Sequence, residues 1–298
     1  MFEQGDPSDG QPKREAMNLH IGCHLGNSVT TTVHAVVLVE PHASVQDTIV
    51  EESWESAQPV ERFADLYGNI CRRFELTPDN AAFSYDATVR ISPEPEAMPG
   101  EGDAQHRVEE LPPELLHWLL PSRLCESETF ADEAWELFGE SDPGAARVQA
   151  VCDWIHDNVA YGVESVPTTT VREVFARRGG MCRDFAHLGV TFCRALSIPA
   201  RYVFGYMPDI GIPGPYPPMD FHAWFEVYLG ERWWTYDARF NTPRIGRIAI
   251  GHGRDAADVA MITTFGAATL RRMAVWADEV VEGAAVGGPL TAGMPRVG

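Results

Sequence analysis

The sequence is poor in positive charge. Lys and Arg number 23 against 43 Asp and Glu, a formal net charge of −20. That balance disfavours nucleic acid and anionic membrane as partners, because both are held by basic surface. Cysteine is also sparse: Cys23, Cys71, Cys125, Cys152, Cys182 and Cys193 are scattered over 298 residues. No C-x-x-C pair occurs, which argues against structural zinc, and the density is too low for a disulfide scaffold. His20, Cys23 and His24 put ligand types together without a second cluster to complete a metal site. Asp255 and Asp258 alone are a poor cation site. No apolar run is long enough to span a bilayer, and the acidic, polar start from Met1 to Gly10 is not a signal peptide. A cytoplasmic protein is therefore the expectation. There are no internal repeats.

What is present is an ordinary globular composition, 45% hydrophobic and 22% charged, with clear punctuation along the chain. Residues 1–16, rich in Gly, Asp, Pro and Gln, read as a disordered tail. Residues 17–92 carry short β-branched runs separated by turn signals, the pattern of an antiparallel β-domain of sandwich type. Prolines and glycines among acids mark residues 93–108 as a linker. Helical periodicity then dominates. Val148, Val151, Ile155 and Val159 form one face of a helix over 145–159. Residues 109–282 read as a single α+β core, with 283–298 a loose C-terminal tail. Strands are expected at 200–206 and 268–276, and the segment 247–250 should return to the core sheet.

Chemistry concentrates in two stretches. In the first, Gly179-Gly180-Met181-Cys182 leads into a helix with an apolar stripe of Phe185, Leu188, Phe192 and Leu196, stopped by Pro199. A cysteine taken singly is usually a small buried core residue. Cys182, however, falls at a helix start, where free N–H groups and the helix dipole favour a thiolate. In the second stretch, 220–229 and 232–237 are aromatic and β-branched strands around Gly230-Glu231, a turn of type II′. If Leu229 pairs with Arg232, then Trp224 pairs with Asp237 and His222 with Arg239. Alternation puts His222 and Trp224 on one face, with Asp237 one diagonal step from His222. A thiol, an imidazole and a carboxylate are the parts of an activated cysteine nucleophile.

These blocks carry a resemblance. Gly179-Gly-Met-Cys-Arg-Asp-Phe-Ala-His187, Ile198-Pro-Ala-Arg-Tyr-Val-Phe-Gly-Tyr206, Phe221-His-Ala-Trp-Phe-Glu-Val227 and Trp234-Thr-Tyr-Asp237 resemble the bacterial transglutaminase-like family, whose core resembles papain-type thiol hydrolases. The resemblance implies Cys182 as nucleophile, His222 as general base and acid, and Asp237 as orienting carboxylate. It also implies an N-terminal β-domain before the core. The expected activity is acyl transfer at a peptide or glutamine amide through a thioester. Hydrolysis by a peptidase or amidase comes first, cross-linking to an amine second. A binding module that kept the fold but not the chemistry is the alternative of another class. The chemistry requires no metal or organic cofactor, and the expected partner is a polypeptide substrate. Nothing in the sequence sets the oligomeric state.

The remaining candidates surround this triad. The backbone N–H of Cys182 is the natural first oxyanion donor, and the Tyr161 phenol is a candidate second. The Pro/Gly-rich loop 207–220 enters directly before His222 and should overhang the site. Tyr206, Met207, Asp220 and Trp224 are thus the substrate-binding candidates. His187 lies off the face of Cys182 and reads as structural, as does Asp184. Arg183 either supports the thiolate or is solvated.

Overall fold

The computed structural model describes residues 16–100, 102–214 and 218–280. The tails expected at 1–16 (apart from Ala16) and 283–298, and the loop residues 215–217, lie outside them.

Among the described residues, fourteen strands and four α-helices are arranged mainly as three antiparallel four-stranded sheets with helices on one of them. The N-terminal half supplies β1 (Met17–Val29), β2 (Val33–Val37), β3 (Ile49–Ser56), β4 (Glu61–Ala64), β5 (Ile70–Leu76) and β6 (Ala82–Ile91). The alternation in β6, where Phe83, Tyr85, Ala87 and Val89 are buried, is the period-two pattern of a one-sided strand. After four short helices, α1 (Ala131–Phe138), α2 (Ala145–Asn158), α3 (Val171–Arg177) and α4 (Cys182–Ala195), the chain builds the second half. A two-residue parallel pair, β7 (Ala160–Tyr161) and β8 (Gly179–Gly180), precedes α4. Then come β9 (Ala200–Tyr206), β10 (His222–Leu229), β11 (Arg232–Tyr236) and β12 (Ile248–Gly253), which form one sheet in the order β11-β10-β9-β12. The expected return of 247–250 to this sheet is thus observed in β12.

The division of the chain differs from the one expected. Strands β13 (Ile262–Phe265) and β14 (Ala268–Glu279) do not belong to the core sheet. They pair with β2 and β1, giving sheets ordered β13-β2-β5-β4 and β14-β1-β6-β3. A core running to 282 therefore ends too late, since the chain crosses back to complete both N-terminal sheets. Rings of Trp54, Phe74 and Phe83 lie between these sheets, with Phe74 and Phe83 centroids 5.3 Å apart. Nor is 93–108 a free linker. Glu96 N–H donates to Arg244 O at 3.0 Å, Gln105 reaches Leu196 O, and His106 bonds to Gly230 O.

The two halves are joined by polar contacts. Tyr206 Oη donates to Val39 O at 2.8 Å, and Asn69 exchanges two hydrogen bonds with the His252 backbone. Helix α4 lies against β10. Its apolar stripe is buried as expected, and Gly189 allows the contact, because a Cβ there would sit 2.4 Å from the Phe225 ring.

Candidate active site

Cys182 is the first residue of α4. The buried Asp184 carboxylate accepts the Met181 N–H at 2.8 Å and so fixes the entry of the chain into the helix. Gly180 must lack a side chain, since a Cβ would lie 2.7 Å from Asp184 Cβ. The same glycine pairs with Tyr161 across β7 and β8. This small parallel pair holds the tyrosine beside the start of α4.

The hairpin register follows the pairing expected from the turn. Leu229 pairs with Arg232 and Phe225 with Tyr236, and Gly230 has φ +59°. Asp237 lies one residue past the last pair. His222 Nε2 meets Asp237 Oδ2 at 2.7 Å, with both side chains buried. Asp237 accepts, so Nε2 carries the proton and Nδ1 is the ring nitrogen left for the thiol. The His222 imidazole and Cys182 line the same cleft, and each shifts the ionisation of the other. Burial alone raises a thiol pKa. Here the His222 imidazole, the Ala223 N–H and the Arg239 guanidinium outweigh it, and the Cys182 pKa is lowered. Burial opposes the His222 imidazolium, but the Asp237 carboxylate and the Cys182 sulfur prevail and raise its pKa. Burial likewise works against the Asp237 carboxylate, yet His222 and Arg247 hold it well below the usual carboxylate range.

Two arginines that the sequence reading did not single out for this site belong to it. Arg239 Nη1 stands 3.4 Å from His222 Nδ1 and lies over the Tyr161 ring, 3.7 Å from its centroid. Arg247 Nη2 donates to Asp237 Oδ2 at 2.8 Å, and its Nε pairs with Glu96. A signal for Arg239 existed, because the register places it opposite His222. Glu96 comes from a Pro-rich stretch far away in sequence and gave no such signal. Arg183, weighed as a support for the thiolate, is instead tied to Ser165 Oγ at 2.7 Å and Val166 O at 2.6 Å. His187 is structural: its Nε2 accepts the Ala256 N–H at 3.1 Å.

A cleft of about 390 Å³ opens at Cys182, lined by Tyr161, Met207, Asp220, His222, Arg239 and Phe240 among others. Tyr161 is 43% exposed there. Burial pushes its phenol pKa up against the pull of Arg239, so the O–H stays a donor at neutral pH. Met207 and Asp220 reach the cleft as expected. Tyr206 and Trp224 do not. Alternation along β9 buries the Tyr206 ring, whose hydroxyl is occupied by Val39 O. Trp224 is buried beneath His222, with ring centroids 6.4 Å apart and planes 21° apart, and supports the imidazole from behind. Among the described residues no group of three or more His, Cys, Asp or Glu is placed to hold a metal ion. His20 and His24 instead bond to Asp86 and Ser84. No helix among these residues is long and apolar enough to cross a membrane.

Residues 134–238, which contain Tyr161, Cys182, His222 and Asp237 but not Arg239, Arg247 or Glu96, match the family model of the transglutaminase-like superfamily. A crystal structure from Cytophaga hutchinsonii, provisionally described as that of a cysteine protease, matches with a TM-score of 0.78 and 30% identity, over 92% of this chain and 94% of that one. An uncharacterised Mycobacterium leprae protein is 33% identical over 118 residues, 38% of this chain and 42% of the relative. An uncharacterised Mycobacterium tuberculosis protein is 27% identical over 215 residues, 65% of this chain and 68% of the relative. The chain thus spans less than half of the Mycobacterium leprae protein. With the superfamily's model matched across the thiol, imidazole and carboxylate, and the Cytophaga fold matched over nearly its whole length, the chain belongs to the transglutaminase-like superfamily.

Proposed function

We propose that this protein is a cysteine hydrolase that cleaves amide bonds in polypeptide substrates through a thioester on Cys182. One observation carries the reading: the Cys182 thiol and the His222 imidazole line one cleft, and His222 is hydrogen-bonded at 2.7 Å to the buried Asp237 carboxylate. The thiol gives its proton to His222 Nδ1, and the thiolate attacks the substrate carbonyl. The Cys182 backbone N–H and the Tyr161 hydroxyl receive the developing oxyanion. His222 then protonates the departing amine at Nδ1 as the C–N bond breaks, leaving the acyl group on sulfur. In the second half His222 takes a proton from water, which attacks the thioester. The thiol leaves and a carboxylic acid is released. Asp237 keeps the proton of Nε2 in place and stabilises the imidazolium in both halves.

Two features support hydrolysis of a polypeptide. Cys182 is partly exposed in an open cleft, so water reaches the thioester. A second cavity of about 560 Å³ shares Asp220 and Phe221 with the cleft, giving an extended chain room on both sides of them. The test is incubation with a peptide library, with cleavage and deamidation read by mass spectrometry. Wild type is expected to release new carboxyl termini or glutamate, and Cys182→Ala to release none. Equal products from both proteins would remove Cys182 from the chemistry, and transfer to an added amine without hydrolysis would make the protein a transferase.

A further inference from the structure

The cavity of about 560 Å³ beside the cleft adjoins both reacting groups. Arg183 in its wall follows Cys182 in the chain, and Phe221 precedes His222. Phe221 and Asp220 line both spaces and so stand between them. The Phe221 ring packs against Phe204 and Tyr206, with centroids 5.9 and 5.3 Å away, which holds this divider in place. The volume falls within the range of small-molecule sites, about 300–1,000 Å³.

The lining is mostly apolar. Leu124, Phe204 and Val259 are buried at its base, while Phe221, Met261 and Met273 are half-buried and present surface to the open space. Thr168 and Tyr202 add two hydroxyls. The charged groups are engaged elsewhere or stand in solvent. Arg183 donates to Ser165 Oγ and Val166 O and pairs with the Asp184 carboxylate at 3.3 Å. Arg123 is exposed. Asp220 is exposed too, and its Oδ1 accepts the Phe221 N–H at 2.7 Å. The two methionines adapt their unbranched chains to what they meet, which suits a pocket for side chains of more than one shape. Met273 belongs to β14, so an N-terminal sheet supplies part of the wall.

The surface around the start of α4 points the same way. Fourteen large hydrophobic residues are exposed among those described, and four of them, Tyr161, Val163, Val166 and Met181, fall between 161 and 181. Tyr161 and Met181 line the cleft, and Val166 precedes Pro167 of the second cavity. In a chain of net charge −20, apolar residues gathered at one site mark a binding surface. A charged side chain entering the cavity would give up its hydration among hydrocarbon walls, whereas an apolar one gains by leaving water.

We infer that this cavity is the specificity pocket of the site and takes a large apolar side chain, aliphatic or aromatic, from the substrate polypeptide close to the scissile amide. The inference rests on the reading of Cys182 as a nucleophile that attacks polypeptides. Its test needs no turnover. The full chain is treated with acetyl-tripeptide chloromethyl ketones, whose peptide extends to the acyl side of the thiol. Chloroacetyl-tripeptide amides, whose peptide extends to the leaving side, form a second set. In each set leucine, phenylalanine, glycine or aspartate occupies one position at a time, with alanine at the others. Alkylation of Cys182 is timed by mass spectrometry, and each rate is divided by that of iodoacetamide, which removes changes in the thiol itself. At one position leucine or phenylalanine is expected to exceed glycine and aspartate by about tenfold or more, the worth of burying such a side chain. Ala260→Trp, which fills the cavity, is expected to abolish that preference. Met273→Asp, which puts a charge in the wall, is expected to do the same, and either serves if the other fails to fold. No preference at any position overturns the inference, and so does a preference that a folded variant keeps. The two readings fail separately. Preference without hydrolysis of the peptide library strikes the hydrolase alone, and hydrolysis without preference strikes the pocket alone.

Discussion

The cysteines show how differently one residue type is treated in one protein. Cys23, Cys71, Cys125, Cys152 and Cys193 are buried, and burial pushes their thiols up, Cys23 and Cys125 to about 12 and Cys71 to about 11. Cys182 also loses hydration but moves down, because His222 and Arg239 reward the thiolate. If His222 owes its tautomer to Asp237, Asp237→Asn reduces kcat by about 10²–10⁴-fold. A steady-state comparison on a substrate from the peptide library checks this, and full activity would mean that another group orients the ring. Arg247 is the second partner of Asp237 and the partner of Glu96. Arg247→Met takes the cation from the buried Asp237 and the partly exposed Glu96 carboxylates and is expected to destabilise the fold by about 3–5 kcal/mol in urea denaturation. Adding Glu96→Gln should recover part of that loss, since the pair is coupled. An additive double variant would show that Glu96 and Arg247 do not act together. The grouping of Cys182, His222 and Asp237 was legible in the sequence because these residues sit in local patterns: a helix start and a hairpin. The Arg247–Glu96 pair was not, because two charged residues about 150 positions apart announce nothing until the chain has folded.

At the scale of elements, the site is the meeting of α4 with β10. The thiol stands at the end of one and the imidazole at the start of the other, so their contact depends on how closely helix and strand approach. Gly189 sets that approach. Gly189→Ala places a methyl group 2.4 Å from the Phe225 ring, and strain of about 1–3 kcal/mol is expected. The thermal midpoint should fall, and Cys182 should lose part of its reactivity as the helix moves off the strand. An unchanged midpoint would show that the helix seats elsewhere. The hairpin was the most legible element, since a two-residue turn with Gly first fixes every pair that follows. The β7–β8 pair was not legible. Four residues are too short for any periodicity, and the two glycines read equally well as a helix stop. Tyr206 went wrong for a related reason. Its place next to the loop suggested the cleft, but alternation along β9 turned it inward.

Across the whole molecule, chain order and spatial order part company at the end. Strands β13 and β14 cover β2 and β1, the strands that begin the described fold. Residues 17–92 made alone therefore lack one strand of each sheet and expose both edges and their apolar faces. Such a fragment is expected to aggregate or bind a hydrophobic dye, whereas the full chain unfolds in one transition. A soluble, cooperatively folding fragment would contradict this. Strand content was visible in the sequence, but strand partners were not, because alternation tells which face is buried and not what lies beside it. The claim on which the functional reading rests is that His222 lowers the pKa of Cys182 against the effect of burial. Its most direct test is the pH dependence of Cys182 alkylation by iodoacetamide, followed by peptide mapping in wild type and in His222→Ala. The inflection in wild type should fall below that of a free thiol, about 8.5, and move above it in the variant, where burial acts without its counterweight. An inflection at the same pH in both proteins would contradict the claim.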